Sequence, residues 1–121
     1  MLDHVGLRVG DIEEARAFYR ETLAPLGYSL VYEGQGWAGF GADGLPDFWI
    51  SGGGPVAPRV HVAFRAAGRT SVDQFHAAGL AAGGRDNGPP GLRPEYHKDY
   101  YGAFILDPDG NNIEAVCHGP A

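Results

Sequence analysis

DHVGLRV, residues 3–9, and VHVAFRA, residues 60–66, are two versions of one strand. In each, a histidine is followed by valine, a small residue, a large apolar residue and arginine. Side chains alternate between the two faces of a strand. His4, Gly6 and Arg8 therefore share one face, and Val5, Leu7 and Val9 the other. The second copy sorts the same way, with His61, Ala63 and Arg65 against Val60, Val62 and Phe64. One face is apolar and suited to pack on a helix. The other pairs a histidine with a small residue, which leaves room beside the ring for a ligand.

The likeness extends beyond the strands, and such self-similarity is the mark of a repeated unit. The same offset carries Phe18 onto Phe75, Leu23 onto Leu80 and Gly27 onto Gly84. A longer loop in the second half then shifts it, and Trp37 falls on Tyr101, Phe40 on Phe104 and Asp43 on Asp107. After the first strand, Asp11 is suited to cap a helix, with Glu13 and Glu14 in its first turn. The stretch IEEARAFYRETLAPLG puts Ile12, Ala15, Phe18, Tyr19 and Leu23 on one helical face, and Gly27 beyond Pro25 is a stop signal. Three strands are expected next, at about 28–33, 36–41 and 47–51. In the second half Thr70 or Ser71 is expected to cap a helix that runs to about Ala82. A short strand near 84–87 leads into a long loop over 85–102. Strands at about 101–106 and 111–117 follow, joined by a turn at DPDG, 107–110.

These elements make two tandem βαβββ modules in one α+β domain over residues 1–121. Module 1 covers about 1–52, a linker about 52–58 and module 2 about 59–118. A chain of 121 residues with 44% apolar residues suits one soluble domain. The formal net charge of −6 is the wrong sign for a surface that reads nucleic acid. Cys117 is the only cysteine, so no disulfide forms within the chain. The N-terminus carries no signal-peptide pattern, and no apolar run reaches the ~20 residues of a membrane span. The expectation is a cytoplasmic protein without nucleic-acid or membrane partners.

The last strand, NNIEAVCH, adds a carboxylate. Asn112, Glu114 and Val116 share one face, and a carboxylate among apolar neighbours is costly to bury unless paired or metal-bound. His4, His61 and Glu114 together make a two-histidine, one-carboxylate set, which leaves open positions on a metal for substrate. Zn, Fe, Mn and Ni all accept such ligands. The long loop supplies Arg93, Tyr96, His97, Lys98, Tyr100 and Tyr101 as one wall of a pocket. Tyr96 and His97 are candidate acid/base groups beside Glu114. Arg93 and Tyr101, with Trp37, Phe48 and Trp49 from the first half, are candidate substrate contacts. His76 is expected on the helix surface, and His118 carries no assigned role.

Three stretches, DHVGLRVGDIEEARAFY, HVAF and DPDGNNIEAV, resemble the vicinal oxygen chelate superfamily. That group includes glyoxalase I, fosfomycin-resistance thiol transferases, extradiol dioxygenases and bleomycin-resistance proteins. The resemblance covers nearly the whole chain. It implies that the paired modules form a cup-shaped mixed sheet around one divalent metal, with His4, His61 and Glu114 at ligand positions. It also implies a homodimer, in which module 1 of one chain can complete the cup with module 2 of its partner. Glyoxalase I adds a ligand from the last strand of module 1. Here that window is DFWIS, whose only acid is Asp47, so the ligand set is nearer that of the dioxygenases and fosfomycin-resistance enzymes. The implied activity is chelation of a small oxygenated metabolite or xenobiotic, with lyase, isomerase, thiol-transferase or dioxygenase chemistry. The alternative is a metal-free protein that sequesters a drug, as bleomycin-resistance members do.

Overall fold

The computed structural model describes residues 1–56 and 59–120. Ala57 and Pro58, in the expected linker, lie outside the described residues, as does Ala121.

Module 1 comprises β1 (Val5–Arg8), α1 (Ile12–Leu23) with a 3₁₀ turn over Ala24–Leu26, β2 (Ser29–Gly34), β3 (Trp37–Ala42) and β4 (Leu45–Ser51). Module 2 comprises β5 (His61–Arg65), α2 (Arg69–Ala81), β6 (Arg85–Leu92), β7 (Tyr101–Leu106) and β8 (Asn112–Cys117). Each module has one four-stranded mixed sheet, ordered β1-β4-β3-β2 and β5-β8-β7-β6. β1 pairs parallel with β4, and β5 with β8; the other pairings are antiparallel. The two strands that open the repeat are therefore each an edge of their own sheet. No helix among the described residues is long and apolar enough to cross a membrane.

Local chemistry explains most boundaries. Asp11 caps α1 by accepting the Glu14 N–H at 3.1 Å, and Gly27, at φ +86°, ends the 3₁₀ turn in a left-handed conformation. Asp43 and Gly44, both at positive φ, make the tight hairpin between β3 and β4. Two expectations need correction. The cap of α2 is neither Thr70 nor Ser71: both lie inside the first turn, and the N-cap is Gly68, which offers no side-chain bond. The long loop is also shorter than expected, because Arg85–Leu92 forms β6 despite Pro89 and Pro90. That strand is the outer edge of its sheet, where a missing N–H breaks no second ladder, and the register slips between Asp86 and Gly88 and between Gly88 and Gly91.

The modules meet through their apolar, helix-bearing faces. Phe48 of β4 packs edge-on against Phe64 of β5, with ring centroids 5.2 Å apart, and Tyr28 meets the same ring at 5.4 Å. Tyr19 on α1 donates to the buried Asp107 carboxylate at 2.5 Å. Asp107 also accepts from the backbone N–H groups of Asp109 and Asn111 and from the Asn111 side chain, at 2.8–2.9 Å. The turn of module 2 is thus fastened to the helix of module 1. Among the described residues no helix covers the opposite face of either sheet.

Candidate functional site

The open face of module 2 is built around Glu114. Its neighbours in register are Ala63 on β5 and Phe104 on β7, so a small side chain flanks it on one side and an aromatic ring on the other. Glu114 is only 1% exposed. A lone carboxylate so buried would be strongly penalised, and here each oxygen has a partner. Oε1 lies 2.8 Å from His61 Nε2, and Oε2 accepts the Tyr100 hydroxyl. The His61 ring is about half exposed, at 52%, so the pair joins a buried charge to a solvent-facing imidazole. Burial, then the hydrogen bond to Glu114 and its charge, push the Tyr100 hydroxyl well above its ordinary pKa. Gly102 makes room for this contact: a Cβ there would come within 3.2 Å of the Tyr100 ring and 3.4 Å of Glu114 Oε2.

Arg93 lies beside this pair. Its guanidinium is 5.5 Å from the Phe104 ring centroid and donates to the Pro89 carbonyl at 2.7 Å. The Phe104 ring is in turn 6.2 Å from that of His61. The face therefore combines a carboxylate, an imidazole, a phenol, a guanidinium and an aromatic ring.

The open face of module 1 is aromatic. Trp49 of β4 stands opposite Gly39 of β3, where an added Cβ would approach its ring to 2.5 Å. Trp37 covers Gly34 in the same manner. Tyr32 stacks on Trp49 at 6.5 Å and 7°, and Trp37 is 6.0 Å from Trp49. Tyr32 and Trp37 are exposed. Tyr32 is absent from the sequence-derived set, although its place in β2 opposite Gly39 puts it on this face.

His4 stands apart from both. Its Nδ1 meets exposed Asp3 at 2.8 Å, at the mouth of a cleft of about 170 Å³ between the modules. Tyr28, Phe48, Phe64 and Arg65 help to line that cleft. Asp47, the one acid of the DFWIS window, lines it too and accepts the Tyr28 hydroxyl at 2.7 and 2.9 Å. Among the described residues no group of three or more His, Cys, Asp or Glu side chains is placed to hold a metal ion. One copy of the chain brings together His61 and Glu114, two donors suited to a divalent metal, and leaves the His4 ring outside that pair.

The other residues singled out in the sequence lie as follows. Phe48 is not on the open face; it is 1% exposed and packs on Tyr19, Phe40 and Phe64. Tyr101 also faces the helix, where its hydroxyl bonds Asp73 at 2.6 Å under Arg69. Within the long loop it is Tyr100 that bonds Glu114. Tyr96 packs on Tyr100 at 4.9 Å, and His97 Nε2 meets His118 Nδ1 at 2.7 Å. His76 is only partly exposed, at 11%, and bonds Asp86 at 2.8 Å. His118 and Tyr100 owe their places to loop closure, which no local pattern announces.

Comparison with known proteins agrees with this architecture. Residues 1–115 match the Glyoxalase/Bleomycin resistance protein/Dioxygenase superfamily. The crystal structure of a glyoxalase/bleomycin resistance protein from Albidiferax ferrireducens is 32% identical, with a TM-score of 0.85, over 98% of this chain and 99% of that one. A glyoxalase-related enzyme from Fulvimarina pelagi shares the fold at 21% identity and a TM-score of 0.74, over 97% of this chain and 87% of that one. A glyoxalase/bleomycin resistance protein/dioxygenase family enzyme from Burkholderia phytofirmans does so at 18% identity and 0.74, over 97% and 98%. A comparison with curated proteins finds no match. On the family match and the 32% identity together, the chain belongs to the Glyoxalase/Bleomycin resistance protein/Dioxygenase superfamily.

Proposed function

We propose that this protein is a metal-dependent enzyme of the cytoplasm acting on a small oxygenated metabolite or xenobiotic. The observation that carries the reading is the His61–Glu114 pair, a buried carboxylate and an exposed imidazole converging on the uncovered face of a sheet. His61 and Glu114 hold a divalent ion (Zn, Fe, Mn or Ni) with His4 as third donor. Because His4 is separate from the pair within one copy, it comes from module 1 of a second copy, and the functional unit is a homodimer with modules paired across chains. Two features support this pairing: β1 and β5 are unpaired sheet edges, and Tyr32 and Trp37 are left exposed. The module boundaries near residues 52 and 59 mark the units that pair.

When bound, the ion supplies Lewis-acid stabilisation of charge developing on a substrate oxygen. The side chains do the rest. Trp49 and Trp37 stack on the flat part of the substrate, and Arg93 binds its polar end. Glu114, beside the Tyr100 hydroxyl, accepts and returns a proton. Lyase, isomerase, thiol-transferase and dioxygenase reactions share these roles.

Elemental analysis of protein purified without added metal tests the reading. We expect stoichiometric metal in the wild type and loss of it in His4→Ala, His61→Ala and Glu114→Ala. Unchanged metal content in all three variants would overturn it. The exposed Tyr32–Trp37–Trp49 platform favours a second reading, a metal-free protein that sequesters an aromatic drug. In that case metal-free protein binds the drug as tightly as metal-loaded protein, and Glu114→Ala is silent.

A further inference from the structure

We infer that Tyr100 is a positioning residue for Glu114: it holds Oε2 so that Oε1 is the oxygen offered beside His61. This rests on the reading of His61 and Glu114 as metal donors. A glutamate side chain has a freely turning terminal carboxylate, and burial alone does not choose which oxygen faces a ligand. Here the choice is made by two different partners, His61 Nε2 on Oε1 and the Tyr100 hydroxyl on Oε2. The partners are not equivalent. His61 is about half exposed and opens to solvent, whereas Tyr100 is partly covered by the rings of Tyr96, His97 and His118.

Tyr100 is itself held on several sides. Its carbonyl accepts the Arg93 N–H at 2.8 Å, closing the segment from Arg93 to Tyr100 into a tight loop, and its N–H donates to the His97 carbonyl at 3.3 Å. Its ring packs on Tyr96, His97 and His118 at 4.9, 5.2 and 5.4 Å. The His97–His118 bond ties that wall to the end of the chain. Gly102 leaves space beside the phenol, since a Cβ there would lie 3.2 Å from the Tyr100 ring and 3.4 Å from Oε2. The loop therefore acts as a clamp whose working atom is one hydroxyl oxygen. Partners that orient a metal ligand typically cost 10–100-fold in metal affinity when removed.

The test is a Co²⁺ titration of metal-stripped full-length protein, followed by calorimetry and by the visible spectrum of the bound ion. Wild type should bind Co²⁺, and His61→Ala should lose that binding. Tyr100→Phe keeps the ring and its packing but removes the hydroxyl. It should bind Co²⁺ about 10–100-fold more weakly and shift the visible bands, because Oε2 is released into the donor set. Gly102→Ala reaches the same contact from the other side and should shift the same bands. It carries the test alone if circular dichroism shows that Tyr100→Phe does not fold. If wild type and His61→Ala behave as expected but the affinity and bands of Tyr100→Phe match wild type, the positioning role is refuted while the metal reading stands. If wild type binds no Co²⁺, or His61→Ala binds it equally well, the metal reading fails and takes this inference with it.

Discussion

Replacing Tyr19 by Phe removes one oxygen atom from the interior and leaves the aromatic packing in place. The hydroxyl is fully buried and donates to Asp107 at 2.5 Å. Asp107 keeps three other donors, the backbone N–H groups of Asp109 and Asn111 and the Asn111 amide. The carboxylate is therefore weakened rather than orphaned. Hydrogen bonds to charged groups contribute about 1.5–3 kcal/mol, so we expect a loss of about 2 kcal/mol. For a chain of this length that is a fall of roughly 6–12 °C in Tm. Urea unfolding followed by Trp37 and Trp49 fluorescence reads the change directly. A double-mutant cycle with Asp107→Asn should return a coupling of about 1 kcal/mol or more. The pH dependence gives an independent check. Burial first, and then the Asp107 charge, raise the Tyr19 hydroxyl well above its ordinary 10.0. A raised pKa in the folded state means that this stabilisation is complete below pH 10 and is lost as pH rises beyond it. Tyr19→Phe should remove that part of the alkaline loss. If the variant unfolds at the wild-type urea midpoint with an unchanged slope, the bond between the modules contributes nothing and the reasoning is wrong.

Gly39→Ala should displace the Trp49 ring, since the new Cβ would lie 2.5 Å from it; a shift in tryptophan emission and a loss of about 1–3 kcal/mol are the expected signs. Asp86 is held below the usual carboxylate range, chiefly by its bond to His76, so that bond contributes above this range and is lost as pH falls through it. His76→Ala should therefore flatten the acid limb of the stability profile, and an unchanged limb would remove Asp86 from the account. Sedimentation equilibrium should give twice the 12.8 kDa of one chain, and a single-chain mass at all concentrations would exclude pairing of modules across copies.

The repeat made the architecture legible. His4–Arg8 and His61–Arg65 announce their strands, Asp11 announces a helix start, and strand alternation puts Glu114 with Asn112 on one face of β8, which the register with β5 then makes the face of His61. What stayed hidden depends on neighbours remote in sequence. Pro89 and Pro90 read as loop because prolines refuse an interior strand, and only the edge position of β6 makes them acceptable. Phe48 and Trp49 are adjacent aromatics of similar character; the sheet sends one into the core and leaves the other on the open face. Tyr100 was one of several polar residues in a long loop until the Arg93–Tyr100 bond closed it. Asp107 read as a turn former, and its larger role needed the arrival of Tyr19 from the other module.

That last bond breaks the likeness between the halves. The repeat that carries Phe18 onto Phe75 carries Tyr19 onto His76, which bonds Asp86 instead. Asp43, the counterpart of Asp107, sits exposed in a hairpin at φ +56°. A chain assembled from module 1 twice would have the phenol and no buried acid to receive it. A chain assembled from module 2 twice would bury two acids and have no phenol. The halves share one plan of strands and helix, yet they are not interchangeable.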